Sequence, residues 1–278
     1  MNDEYFVFGN VISGMNYTSA DFHLHYISSY ILYVYSDTIY DSLVVIDSNN
    51  QVLRYLVYDN VAPTDEAIKL LSLPFQQVKI TLPHQNLVWI PSEVYDQTER
   101  ELYLDYFADA KVEDLSAVSV ESIGATGIYQ TDNLAIRRWK NLFPEATIQP
   151  IFELVLHKAL EIIRADEQVM GVQIYDNQVD VYWFENHEMR LYNTFEVETV
   201  DDLSYFVLSV MKNFGVQNKI EKIVLSGRSL DSEWGIRLSS YTNNLSTLPE
   251  MENWKADDNS VESDVQVLNI FSKTTVCV

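Results

Sequence analysis

The sequence MGVQIYDNQVDVYWFENHEMRLYNTFEV occupies residues 170–197 and contains three apolar segments separated by two short polar ones. Segments 170–175, 179–184 and 189–197 are rich in Val, Ile, Tyr and Phe, which fit a pleated and partly buried surface. The linking residues 176–178 and 185–188 have the length of hairpin turns. The stretch therefore predicts three consecutive antiparallel strands.

A helix and a fourth strand follow these three strands. Thr199 and Asp202 have capping-box spacing, and the residues after them have apolar side chains at helical spacing, namely Leu203, Phe206, Val207, Val210, Met211 and Phe214. Gly215 ends this helix, and residues 222–225 predict a strand. A return to the same sheet through a helix requires a right-handed crossover.

The first half of the chain repeats this plan. Strands are predicted at 22–27, 30–35, 42–47, 51–58 and 78–82, and a helix capped by Thr64 precedes the last of them. The first hairpin lies either at 28–29 or at 37–38. Further strands are predicted at 86–90, 117–120 and 128–129, further helices at 98–107, 131–142 and from Pro150, and a final strand near 265–271. We expect an α/β protein with a first domain at 1–149, including an N-terminal extension, and a second at 150–278.

Composition excludes several classes of function. The chain has 278 residues with 41 acidic and 18 basic side chains, which gives a formal net charge of -23. This field opposes binding to nucleic acid or to an anionic membrane surface, and no apolar run has the length of a membrane span. The single cysteine, Cys277, cannot form an internal disulfide. Acidic residues at the start do not fit a signal peptide, so we expect a cytoplasmic protein.

The duplicated plan resembles the actin-like ATPase superfamily, in which two ribonuclease-H-like domains face a nucleotide cleft. The resemblance is closer to one bacterial family of unknown function with this fold, and more distant to the PilM family of pilus assembly adapters. It covers about residues 21–248 and is carried by short segments at 73–75 (LPF), 89–93 (WIPSE), 142–144 (LFP), 191–195 (LYNTF) and 225–227 (LSG).

The resemblance implies phosphate-binding hairpins of the form Asp-x-Gly, in which glycine admits phosphate and the aspartate organises magnesium. None of the eight glycines has an aspartate two positions before it. In the second half, Gln173 occupies the position of the aspartate, and Tyr175, Asp176 and Asn177 occupy the positions of the glycines. Asp180 alone keeps the pattern. Both possible hairpins of the first half also lack glycine.

The cofactor-binding candidates are few. Residues 223–229 match the adenosine site with Gly227 alone, where the superfamily commonly has two glycines, and a buried strand that enters a turn is the simpler interpretation. Asp180, Ser226 and Gly227 are cofactor-binding candidates only if a nucleotide binds. We expect no cofactor, with Mg-ATP only under the alternative of an active ATPase, and we assign no catalytic residue.

Two other patterns have a structural explanation as well as a functional one. Asp21, His23 and His25 alternate along a predicted strand and would share one face, but a solvent-facing edge is favoured over a metal site, so no metal is predicted. The 18 tyrosines alternate with aliphatic residues in the first half, and core filling is favoured over a binding surface.

The sequence therefore favours a non-catalytic binding or scaffolding module, a pseudo-ATPase whose partner is a protein. The acidic surface favours a partner rich in Lys or Arg. Two alternatives stay open: an active ATPase with atypical phosphate loops, and an enzyme that uses the interdomain cleft for another small molecule. The oligomeric state is not predicted.

Overall fold

The computed structural model describes residues 15–108, 110–175, 177–249 and 254–259, together with Val261, Val265 and Leu268. Its first sheet begins with strands β1 (Asn16–Thr18), β2 (Ile31–Ser36), β3 (Tyr40–Ile46) and β4 (Val52–Asp59), followed by helix α1 (Asp65–Leu71) and strand β5 (Gln77–Leu82). Strands β2, β3 and β4 are antiparallel neighbours, and β5 is parallel to β2. Thr64 caps α1 through a hydrogen bond to its side chain from the Ala67 backbone.

A small three-stranded sheet is inserted after β5. It consists of β6 (Asn86–Pro91), β7 (Leu115–Val120) and β8 (Ala125–Gln130), with β8 in the centre. The 3-10 helix Gln97–Tyr106 packs on this sheet through Tyr103 and Phe107. Helix α2 (Asn133–Leu142) then leads to β9 (Thr147–Pro150), which pairs with β5 and completes the first sheet.

The second half begins with helix α3 (Ile151–Ile162) and forms a five-stranded sheet. Its elements are β10 (Gln168–Ile174), β11 (Gln178–Glu185), β12 (Glu188–Glu196), α4 (Val200–Asn213), β13 (Lys222–Ser226), α5 (Glu233–Leu238) and β14 (Leu245–Thr247). The strand order is β12-β11-β10-β13-β14, with β13 parallel to β10. Thr199 and Asp202 form the predicted capping box of α4.

Three apolar layers hold these elements together. Helices α1 and α2 cover the outer face of the first sheet, where Trp139 is completely buried. Helices α4 and α5 cover the outer face of the second sheet. The inner faces of both sheets share one core with α3, in which Phe152 contacts the rings of His84, Trp89 and Tyr129. This central core fixes the two sheets against each other.

The fold confirms the duplicated plan. Each half has three antiparallel strands, a helix and a fourth strand parallel to the first. The first hairpin lies at 37–38, where Asp37 Oδ1 accepts hydrogen bonds from the backbone N–H groups of Ile39 and Tyr40 at 2.8 and 2.6 Å. These bonds stabilise the turn without a glycine, because an aspartate side chain can replace backbone partners.

Two predicted strands are wrong. Residues 24–29 form a 3-10 helix, in which the Ser29 hydroxyl donates to the carbonyl of Tyr26 at 2.7 Å and Ile27 alone is buried. Such local bonds compete with strand pairing. The strand predicted near 265–271 is also wrong at its described positions, because Val265 and Leu268 are helical. With Val261 they form a buried stripe at helical spacing.

The last described residues return to the first sheet. Lys255 pairs with Gln51, and Trp254 is completely buried against the ring of Tyr33. The carboxylate of Asp257 accepts a hydrogen bond from the Ser19 hydroxyl at 2.9 Å. The division at residues 149 and 150 stays a prediction, and Trp254, Lys255 and Asp257 contact residues on the other side of it.

None of the helices that the structure describes combines the length and the apolar composition that crossing a bilayer would require.

Candidate functional site

The candidate site lies on the inner face of the second sheet, opposite the loop that follows β5. The β10–β11 hairpin places Asp180 directly across from Gln173, and the β11–β12 pairing places Thr194 beside Asp180. The loop between β5 and β6 brings His84 from the first half to the same point. The site is therefore assembled from both halves of the chain.

Asp180 is a buried carboxylate whose oxygens accept hydrogen bonds from hydroxyl groups. Its side chain has no solvent exposure. The hydroxyls of Tyr175 and Tyr192 both donate to Oδ2, the latter at 2.7 Å, and the Thr194 hydroxyl donates to Oδ1 at 2.7 Å. Hydrogen bonds of this kind compensate the loss of water around a buried charge.

His84 extends this network into the first half. Its Nε2 lies 2.9 Å from the Thr194 hydroxyl oxygen and 3.5 Å from Asp180 Oδ1. Because Thr194 has one hydroxyl proton and donates it to Asp180, its oxygen accepts the bond from His84. Nε2 of His84 therefore carries a proton. Its buried Nδ1 has no hydrogen-bond partner among the described residues.

The two tyrosines act as hydroxyl donors and not as phenolates. Burial, followed by the charge of Asp180, raises the pKa of both Tyr175 and Tyr192 well above the ordinary value. Each phenol therefore keeps its proton at neutral pH and directs it towards the carboxylate. The carboxylate and the phenols therefore satisfy one another's hydrogen-bonding groups.

The three cofactor-binding candidates surround Gln173 on neighbouring strands. Asp180 on β11 and Ser226 on β13 both pair with Gln173 on β10. Gly227 has a φ of +80°, and a Cβ there would lie 2.0 Å from the Ile174 carbonyl oxygen. A glycine is thus required at 227 by close packing of the protein itself, and the assignment of the three residues to a cofactor stays a prediction.

A cavity of about 400 Å³ lies between the hairpins of the two halves. Residues 36–38 form one side and Tyr175, Asn177 and Gln178 form the other, with His84 in the wall. None of the described residues that line this cavity is Lys or Arg, whereas two of them, Asp37 and Asp132, carry carboxylates. Asp180, Ser226 and Gly227 are not among the lining residues. Asp176, predicted at a glycine position, lies outside the described residues.

A second cavity of about 290 Å³ adjoins the first and shares Gln85, Asn86 and Gln178 with it. It lies between the start of β6 and the second half of β12, and the residues 192–196 of β12 form one wall. Glu196 is the charged residue among its described lining. The two cavities form one polar cleft, which runs from the paired hairpins to the edge of the second sheet.

The remaining sequence patterns do not form a site. Asp21 and His23 precede the 3-10 helix that contains His25, so the alternation along a strand is absent and the shared face does not form. Across the described residues, no group of three His, Cys, Asp or Glu side chains could hold a metal ion. Tyr33, Tyr35 and Tyr55 are buried in the central core, as favoured for the tyrosines.

Sequence reasoning missed His84, Tyr192 and Thr194 as members of the site. Tyr192 and Thr194 lie two residues apart on a predicted strand, so a register that placed Asp180 opposite Thr194 would have found them. His84 carries no such signal, because it is separated from Thr194 by 110 positions and stands alone in an irregular segment.

The comparisons with known proteins agree with this architecture. A solved structure from Bacteroides thetaiotaomicron, a protein with actin-like ATPase fold and unknown function, has a TM-score of 0.68 at 16% identity and covers 91% of this chain and 99% of that one. The PilM-PilN type IV pilus biogenesis complex contains a chain with a TM-score of 0.55 at 11% identity, covering 87% of this chain and 97% of that one. No curated protein matches the chain.

These similarities establish the actin-like ATPase fold, which is the fold that the duplicated plan resembled. A family model, described as Protein of unknown function (DUF3822), matches residues 26–245, which include strands β2 to β13 and the residues of the buried network. The chain therefore belongs to the DUF3822 family.

Proposed function

We propose that this protein is a non-catalytic binding or scaffolding module that uses the actin-like fold without Mg-nucleotide. The observation that carries the proposal is the state of Asp180, the one residue of this hairpin that keeps the superfamily's pattern. It is fully buried, and it accepts hydrogen bonds from Tyr175, Tyr192 and Thr194. A magnesium ion or its water would have to displace these donors.

The electrostatics of the cleft support the same proposal. A nucleotide triphosphate needs cations or backbone N–H groups around its phosphates. The described lining of the two cavities contains Asp37, Asp132 and Glu196 and no Lys or Arg. A unit charge about 4 Å from a like charge costs around 4 kcal/mol at an effective dielectric near 20.

The buried cation beside the hairpin is used by the protein itself. Arg228 Nη2 donates to the carbonyl oxygen of Tyr175 at 3.0 Å, and Nη1 donates to that of Gly227 at 2.9 Å. These bonds tie the hairpin to the loop after β13. The guanidinium thus stabilises the present conformation of the hairpin. In an actin-like ATPase, the hairpin at this position would have to leave room for phosphate.

The partner in this proposal is another protein. The PilM structure is a complex with PilN, so a chain of this fold binds a protein there. The net charge of -23 favours a partner segment rich in Lys or Arg, with association that weakens as salt rises.

Thermal unfolding of the full chain in millimolar Mg-ATP tests the nucleotide part of the proposal. A ligand at about 100 times its Kd stabilises a protein by about 2.7 kcal/mol, which is on the order of 5 °C for a chain of this size. We expect no shift beyond the experimental noise. A rise of several degrees that Asp180→Asn abolishes would replace the proposal with an active ATPase.

Affinity capture at low and high ionic strength tests the partner part. We expect a protein that is retained at low salt and released at high salt. Recovery of nucleic acid, or of nothing under either condition, would contradict a protein-binding role.

A further inference from the structure

Strand β12 forms one edge of the second sheet. Eight of its nine residues pair with β11 on one side, and no other strand pairs with it among the described residues. An unpaired strand edge presents a row of backbone donors and acceptors that another chain can use.

The direction of these backbone groups follows from one hydrogen bond. The Val197 N–H donates to the Asn177 carbonyl oxygen at 2.9 Å, so positions 197, 195 and 193 direct their backbone groups towards β11. In an antiparallel pair the alternate residues point away. Tyr192, Thr194 and Glu196 therefore direct their N–H and C=O groups outward.

These three residues are also in the wall of the cavity of about 290 Å³. No further backbone hydrogen bond involves their outward groups in the described part of the chain. The opposite wall is formed by residues 85–87 at the start of β6, so the free edge faces a cleft with protein on both sides. Tyr192 to Glu196 spans about 13 Å in extended conformation, which corresponds to a partner strand of about five residues.

The lining determines which kind of chain fits. Neutral amides or hydroxyls are supplied by Gln85, Asn86, Gln178, Asn193 and Thr194, and the cleft continues through three of these residues into the cavity between the hairpins. Two carboxylates, Asp37 and Asp132, line that cavity. A segment that pairs with β12 would thus bring its own cationic side chains close to acidic groups.

We propose that the cleft binds an extended, basic segment of a partner protein, which adds a strand to β12 and directs a Lys or Arg side chain into the cavity between the hairpins. The proposal rests on the binding function above and names the site and conformation of the partner. It requires backbone pairing along Tyr192 to Glu196 and charge pairing at Asp37 and Asp132.

The probe is a displayed library of random twelve-residue peptides, selected on the full chain at low salt. We expect enrichment of sequences that combine Lys or Arg with residues that favour strands. The Kd of one enriched synthetic peptide is then measured by fluorescence anisotropy. Failure to enrich any peptide, or enrichment of acidic ones, would overturn the inference.

Glu196→Pro tests the backbone pairing. Proline removes the outward N–H at this position and leaves the Val197 bond to β11 in place. We expect at least a tenfold loss of peptide affinity, whereas Glu196→Gln, which keeps the N–H and removes the charge, loses about threefold or less. Equal affinities for the two variants would contradict strand addition.

Asp37→Asn combined with Asp132→Asn tests the charge pairing. In both residues Oδ1 accepts backbone hydrogen bonds, which asparagine can still accept, so the turn and the start of α2 are kept. We expect about a tenfold loss of affinity. Asp47→Asn with Asp96→Asn is the matched control, because these residues also cap local backbone groups away from the cleft.

The outcomes separate this inference from the proposed function. A protein partner that is captured normally both by Glu196→Pro and by the variant that combines Asp37→Asn with Asp132→Asn would overturn the cleft site and leave the binding function standing. Stabilisation by Mg-ATP would overturn the proposed function, whatever the peptides do.

Discussion

The Nε2 atom of His84 lies 2.9 Å from the hydroxyl oxygen of Thr194, and this hydrogen bond joins the two halves of the chain. His84 follows the last strand of the first repeat, whereas Thr194 lies on the third strand of the second. The Thr194 hydroxyl in turn donates a hydrogen bond to Asp180 Oδ1 at 2.7 Å. Side chains of the protein therefore bridge the inner face of the second sheet and the loop that follows β5.

Thr194→Val should destabilise the protein by about 3 kcal/mol, because it leaves the Nε2–H of His84 and Oδ1 of Asp180 without the hydroxyl between them. Each buried polar group left without a partner costs about 1–3 kcal/mol. Urea unfolding measures the change. Thr147→Val, on an exposed position of β9, is the control and should change stability by less than about 0.5 kcal/mol. Similar losses in both variants would show that the network contributes little.

Tyr175→Phe should lower the free energy of unfolding by about 2 kcal/mol, because a hydrogen bond to a charged group is worth about 1.5–3 kcal/mol. A double-mutant cycle with Asp180→Asn isolates the pair, and we expect a coupling energy of at least about 1 kcal/mol. Tyr26→Phe, in an exposed position, is the control. Additive effects of Tyr175→Phe and Asp180→Asn would contradict the bond.

Gly227→Ala should destabilise the protein by more than about 2 kcal/mol, whether or not nucleotide is present. The backbone has a φ of +80° there, and the added Cβ would lie 2.0 Å from the Ile174 carbonyl oxygen. Gly215→Ala is a matched control with a φ of +70° and nothing within 4 Å, so it should cost only about 1 kcal/mol for the left-handed backbone. Equal losses would indicate that close packing at Gly227 is unimportant.

Glu153→Gln should stabilise the protein at pH 8 and have little effect at pH 4. Burial on α3 raises the pKa of Glu153 above its ordinary value of 4.5. The native state thus binds this proton more tightly than the unfolded chain, and stability falls as pH rises through the raised pKa. Melting temperatures across this range measure the gap between the variant and the wild type.

Glu145→Gln removes the same charge from an exposed position and serves as the control for this pH series. Its melting temperature should follow that of the wild type at every pH. A Glu153→Gln protein that is less stable than the wild type at pH 8 would show that the carboxylate is favourable in its place.

The repeated order of strands and helices was predictable because its signals are local. Alternating apolar residues, hairpin-length turns and the Thr199–Asp202 capping box act over a few positions, and all of them appear in the second half as predicted. The same rules were ambiguous at 24–29 and at Val265. There a short apolar run fits either a strand or a helix. The local hydrogen bond from Ser29 to Tyr26 favours the 3-10 helix at 24–29, and Val265 packs into the central core.

The candidate site also has one part that the sequence predicts and another that it does not. Tyr175 and Asp180 lie five positions apart across one hairpin, so the sequence alone identified both and predicted that a phosphate loop is lacking. The contact between His84 and Thr194 spans 110 positions and depends on strand register and on the packing of both sheets around α3. Local propensities carry no information about contacts between positions so far apart in the sequence, because they depend only on neighbouring residues. The tertiary structure alone therefore determined that the inner face is closed by hydroxyl groups, and that the remaining cleft runs along the free edge of β12.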